Sequence, residues 1–135
     1  MTIAVLSGLI RPLVEPRLPE WVEPRWFMSK EEALQLAPEA EIGWFDFTQP
    51  GPMIEVVTAA TGLKWLNSIY AGLDFLPLDL LAERGTVVTN GAGINAITIA
   101  EYTVMLMLAH AKGYRAVVRA QDRHEWLLDS PGKRE

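Results

Sequence analysis

Two short turns, each closing a strand-like run, hold the residues of this chain best placed to bind a ligand. Leu63–Ser68 is an apolar run stopped by Tyr70-Ala71-Gly72, and Thr86–Thr89 is a β-branched run stopped by Asn90-Gly91-Ala92-Gly93, just before a long apolar helix. In an open parallel sheet, ligands bind at the carboxyl ends of strands, where such turns bring backbone N–H groups to the surface. Preorganised amides carry partial positive charge. The stretch from Leu63 to Glu101 is therefore the expected binding edge.

Each candidate also has a plain structural reading. On residue types alone, Tyr70-Ala71-Gly72-Leu73 reads first as a tight strand-to-helix turn, and Asn95 suits the N-cap of the long helix. Gly91 and Gly93 are spaced G-x-G after a strand, yet the third glycine of a dinucleotide fingerprint would fall at Ala96, and no acidic residue follows about twenty residues on after a second strand. A turn is the better reading. His110 and His124 are the only two histidines and are assigned no role, as solvent-facing helix positions account for both. Without cysteine there is neither a disulfide framework nor a thiolate metal site, and two isolated histidines make no structural zinc site.

The chain has 135 residues and is 50% hydrophobic, which is one domain's worth of sequence with enough apolar surface for a real core. A net charge of −5 with no clustered Lys or Arg argues against nucleic acid or an anionic membrane as partner, leaving small molecules and proteins. The N-terminus lacks a basic leader, and its apolar run is too short for a signal-peptide core, so the chain reads as cytoplasmic.

The elements that must position the turns follow from hydrophobic pattern and punctuation. Ile3–Ser7 is the first strand, ended by Gly8. Prolines at 12, 16, 19, 24 and 38 break the next section, so Leu9–Val14 and Pro19–Val22 are at most single helical turns, and Arg25–Met28 is an edge strand after Pro24. Ser29 with Glu32 three residues on forms a capping box, Ala33–Ala37 fills that helix, and Pro38 stops it. Glu41–Phe45 is the third strand, 46–52 a loop, Met53–Ala60 a helix closed by Gly62, Leu63–Ser68 the fourth strand, Pro77–Arg84 a helix followed by Gly85, and Thr86–Thr89 the fifth strand. Strands alternating with helices five times predict an α/β, flavodoxin-like parallel sheet in the order 2-1-3-4-5 with helices on both faces.

A long connecting helix is predicted over Ala96–Val118, with one apolar stripe through Ile97, Ala100, Val104, Met107, Leu108 and Ala111 and a second through Ile99, Tyr102, Leu106 and Ala109. A helix apolar on two sides needs two partners. It is too short in apolar length for a bilayer span and contains Glu101 and His110. Arg119–Glu135 is a charged arm with Trp126-Leu127-Leu128 as an apolar anchor and Ser130-Pro131-Gly132 as a linker. The division expected is residues 1–95 as a ligand-binding domain and residues 96–135 as helix and arm.

The segments LKWLNSIYAGLD, LAERGTVVTNGAG and NAITIAEYTVMLMLA, in this order and spacing, resemble the N-terminal half of the D-isomer-specific 2-hydroxyacid dehydrogenases, from about Glu41 to His110. The resemblance implies a substrate-binding domain for a small 2-oxo or 2-hydroxy acid, of the glyoxylate/hydroxypyruvate type. By the same resemblance, the amides around Ala71, Gly72 and Leu73, with Tyr70, hold the substrate carboxylate. Phe47 and Thr48 wall the pocket, Asn95 faces the substrate as in formate dehydrogenase, and Thr98 and Ile99 border the nicotinamide.

NAD or NADP is the cofactor of the family, but this chain alone is expected to hold none. Its glycine fingerprint and the catalytic Arg, Glu and His lie downstream in the family, so residues 1–135 read as catalytically incomplete. The resemblance further implies a homodimer through the Ala96–Leu128 helix and arm. A non-catalytic, flavodoxin-like dimerisation or regulatory module is the alternative. Its receiver form is disfavoured because only Asp46 fits the required acids, with Ser7-Gly8 after strand one and Asn90 after strand five. Its flavin form is disfavoured because Gly8-Leu9-Ile10-Arg11 is no hydroxyl-rich phosphate loop.

Overall fold

A computed structural model describes residues 1–129 of the chain, which divide into two compact units, Met1–Ala92 and the described residues from Gly93 onward. The linker reading for 130–132 lies outside the described residues.

The first unit is a five-stranded, all-parallel sheet in the order β2-β1-β3-β4-β5. Its strands are β1 (Thr2–Ser7), β2 (Val22–Phe27), β3 (Ile42–Trp44), β4 (Trp65–Asn67) and β5 (Val87–Thr89). The helices are α1 (Arg11–Val14), α2 (Lys30–Leu36), α3 (Pro50–Ala59) and α4 (Leu78–Glu83), with single 3-10 turns at Gly8–Ile10, Glu15–Arg17 and Ala37–Glu39. This is the α/β order that the alternating pattern predicts.

Strand side chains alternate between the two faces. Val5 and Leu66 join Ala33, Val56, Val57 and Leu81 from α2, α3 and α4 in the main core, while Ala4, Leu6 and Val22 face the other way and meet Val14 and Leu18. Phe45, Met53, Leu66 and Leu81 are fully buried at the centre of the main core.

Several boundaries differ from those predicted. β2 runs from Val22 rather than Arg25 and includes Pro24, with Met28 outside it; the strand pairs only with β1, so a missing N–H on its open side costs nothing. Pro19–Val22 is no helical turn but a turn closed by Val22 N–H to Pro19 C=O (3.0 Å) that enters this strand. α3 begins at Pro50, so Pro50-Gly51-Pro52 forms its first turn instead of a loop, because first-turn N–H groups have no helical partner for proline to remove. Gly62 does not close α3: Ala60 is the C-cap, and left-handed glycine backbone occurs at Gly85, Gly93 and Gly113.

The capping box forms at Ser29, whose Oγ accepts from Glu32 N–H at 3.2 Å, but the returning Glu32 carboxylate takes the N–H of Met28 (2.7 Å). At the sheet's other end, Lys64 holds the Glu41 carboxyl below its usual range, helped by the Ile3 N–H.

The second unit holds two helices where the periodicity predicts one. α5 (Ala96–Ala111) stops at Lys112, Gly113 takes left-handed backbone (φ 59), and α6 (Tyr114–Asp122) follows. Apolar spacing continues across the break through Tyr114 and Val117, which is why periodicity alone runs through it. His110 is an exposed α5 residue, whereas His124 lies past α6 in a left-handed turn. Trp126 and Leu128 are 88% and 90% exposed, whereas Leu127 between them is half-buried. Among the described residues no helix is long and apolar enough to cross a membrane.

Candidate functional site

The loops beyond the carboxyl ends of β3 and β4 are tied together by one carboxylate. Asp46, two residues past β3, accepts from Trp44 Nε1 (2.6 Å), Ser68 Oγ (2.7 Å) and the Ile69 N–H (2.7 Å). Ser68, buried at the end of β4, accepts in turn from the Tyr70 N–H at 3.2 Å, and the Tyr70 hydroxyl donates to the Phe47 carbonyl. Hydrogen bonds to a charged acceptor are the stronger kind, so this cluster fixes where the turn after β4 begins.

The loop after β5 fixes the same turn from its other side. Asn90 Nδ2 donates to the Ala71 carbonyl at 2.7 Å, and the Gly91 N–H donates to the Tyr70 carbonyl at 3.1 Å. Gly91 is buried, and a Cβ there would lie 2.1 Å from the Ile69 carbonyl oxygen, so only glycine allows this approach. Gly91→Ala is expected to lower unfolding free energy by about 2 kcal/mol in urea titration, as overpacking against rigid backbone does; an unchanged midpoint would show that the two loops are not in register.

These bonds use the carbonyls of Tyr70 and Ala71, whereas the N–H groups of Ala71, Gly72 and Leu73 meet no acceptor among the described residues. Ala71 and Gly72 are exposed and Leu73 is half-buried. A Cβ on Gly72 would have only Asp74 Oδ2 nearby, at 3.7 Å, so the space over this turn is open. Three successive free amides on a pinned turn can receive an anion such as a carboxylate.

Beside the turn is a cleft of about 500 Å³ with Thr48, Ile69 and Tyr70 in its lining. Of the predicted site residues, Tyr70, Ala71, Gly72 and Leu73 thus form one continuous turn, and Thr48 shares the cleft with Tyr70. Asn95, Thr98 and Ile99 belong to the second unit. Asn95 occupies the N-cap position of α5 without a side-chain capping bond, and Thr98 and Ile99 are exposed α5 residues.

Sequence reading missed Asp46 as the organiser, along with Ser68 and Asn90. An acid just past β3 and a serine ending β4 are neighbours at one sheet edge, and that coincidence was the available signal.

Residues 3–125 match the family described as "D-isomer specific 2-hydroxyacid dehydrogenase, catalytic domain". A D-3-phosphoglycerate dehydrogenase of Archaeoglobus fulgidus is 32% identical over 105 residues, covering 78% of this chain and 20% of that relative, so the chain spans about a fifth of the length of the curated protein it matches.

Among solved structures, a D-isomer specific 2-hydroxyacid dehydrogenase family protein of Aeromonas salmonicida aligns with TM-score 0.70 and 22% identity over 93% of this chain and 40% of its own. An NADPH-dependent glyoxylate/hydroxypyruvate reductase of Sinorhizobium meliloti, in complex with citrate, aligns with TM-score 0.65 and 20% identity over 96% of this chain and 41% of its own. At these identities the structural likeness carries the fold.

Proposed function

Since this chain belongs to the D-isomer specific 2-hydroxyacid dehydrogenase family, we propose that residues 1–95 are a substrate-binding domain holding a small 2-oxo or 2-hydroxy acid by its carboxylate, with residues 96–135 as interdomain helix and arm. The observation that supports this most is the pinned turn whose Ala71, Gly72 and Leu73 amides lack acceptors among the described residues. Tyr70 and Thr48 shape the cleft beside the acid. Asn95, Thr98 and Ile99 are assigned by the family resemblance to the substrate and nicotinamide borders.

NAD or NADP supplies the hydride in such enzymes. The residues present do not fit its phosphates: Gly91 is used up in packing on Ile69 and in bonding the Tyr70 carbonyl, and Ala96 stands where a third glycine belongs. What these residues do is bind and orient the acid. A proton-transferring His–Glu pair and a carboxylate-gripping Arg are not assigned to any position here, so residues 1–135 are catalytically incomplete.

The test is a paired measurement on the 135-residue protein. Calorimetry with glyoxylate should give a Kd of roughly 1 mM, since an anion held by amides alone gains little. NADH or NADPH with glyoxylate or hydroxypyruvate should give no turnover. A rate of about 1 per second or more would contradict catalytic incompleteness.

The homodimer belongs to the same reading. On α5, Ile97, Ile99, Tyr102, Val104 and Met107 are each more than half exposed, and Leu106 is 50% exposed. Two-fold association of these faces is the simplest closed way to cover them.

A further inference from the structure

We propose that the cleft beside the Tyr70–Leu73 turn receives the side chain of the bound 2-oxo acid, and that this side chain is uncharged and apolar rather than phosphorylated. The inference deepens the function proposed above and rests on the turn holding the carboxylate. Ile69 and Tyr70 line the cleft and lead directly into the three free amides. An acid held there by its carboxylate has its remaining carbons within reach of the cleft.

The apolar lining is Leu9, Phe27, Met28, Phe47 and Ile69. Phe27 and Phe47 meet with their rings tilted by 33° and centroids 5.5 Å apart, while Leu9 and Met28 are 79% and 69% exposed. Large apolar side chains left uncovered at a cleft favour an occupant that removes them from water. At about 500 Å³ the cleft lies within the usual range for small-molecule sites, and a two-carbon acid would leave most of it to water.

The charge pattern opposes a phosphate. The polar lining is Ser7, Asp46, Thr48 and Tyr70, with no cation and one acid. The cations of the elements leading away from β1 and β2 are engaged elsewhere: Arg11 pairs with Glu15 and lies over the Trp26 ring, Arg17 donates to the Leu13 carbonyl, and Lys30 pairs with Glu55. α3 starts just beyond Thr48, but proline at 50 and 52 removes two of the first-turn N–H groups with which a helix end would bind phosphate. A group of nearly two negative charges would thus face Asp46 with nothing to offset the repulsion.

The experiment titrates the 135-residue protein with phenylpyruvate, glyoxylate and phosphohydroxypyruvate, following amide NMR shifts. Phenylpyruvate should bind at least about tenfold more tightly than glyoxylate, from apolar area newly covered. It should shift Ala71–Leu73 together with Leu9, Met28 and Ile69, while phosphohydroxypyruvate binds no tighter than glyoxylate. Leu9→Arg, at an exposed position, should reverse the preference towards the phosphorylated acid.

Equal affinities for phenylpyruvate and glyoxylate, or tighter binding of phosphohydroxypyruvate by the unaltered chain, would overturn the cleft assignment while shifts at 71–73 kept the carboxylate reading. Phenylpyruvate shifts at the cleft alone would support the apolar cleft and overturn the carboxylate reading. Absence of shifts at both would overturn both.

Discussion

Asp46→Ala is expected to lower the unfolding free energy by about 3 kcal/mol and to abolish acid binding at the turn. Three donors lose their acceptor at once: the Trp44 indole, the Ser68 hydroxyl and the Ile69 amide. Hydrogen bonds to charged groups contribute roughly 1.5–3 kcal/mol each, and the half-buried setting lets water replace part of the loss. Asp46→Asn should recover part of the stability, because one carboxamide oxygen can still accept whereas its NH2 cannot. Asp74→Asn, at an exposed acid of the same turn, should change stability by less than about 0.5 kcal/mol. Urea unfolding of the three variants decides the matter; an Asp46→Ala midpoint equal to that of Asp74→Asn would mean the carboxylate does not organise these loops.

Leu106→Asp is expected to convert a micromolar homodimer into a monomer, weakening association by about a hundredfold. At roughly 25 cal/mol per Å², an α5 face of several hundred Å² gives a strong drive to associate, and a charge at its centre removes both the apolar gain and the fit. Leu106 sits between the exposed Tyr102 and His110 on successive turns of α5. Light scattering at micromolar concentration reads the outcome. A monodisperse monomer for the unaltered chain would overturn the homodimer.

Strand order and the turns were legible in the sequence because they rest on strong local signals: β-branched runs, glycine after strands, and helices between them. The capping residue Ser29 and the left-handed Gly85 were legible for the same reason, since each is dictated by its own few neighbours. The Pro50 start of α3 was not, because proline breaks a helix interior but suits its first turn, and the sequence shows only the proline. Gly113 likewise ends α5 by a backbone choice that apolar spacing does not register. Asp46 was the larger omission. Its role depends on Ser68 and Ile69, 22 and 23 residues away, and such pairings appear only once the strands lie side by side.

The central claim, that the amides of Ala71, Gly72 and Leu73 hold a carboxylate, is tested most directly by titrating glyoxylate into the protein and following every backbone amide by NMR. The largest shifts should fall at residues 71–73, with a smaller one at Thr48, saturating with a Kd of roughly 1 mM. Gly72→Ala should weaken them without loss of fold, since the added Cβ meets only Asp74 Oδ2 at 3.7 Å. Shifts confined to residues 119–129, or none at about 30 mM acid, where a site of that Kd would be nearly saturated, would contradict the claim.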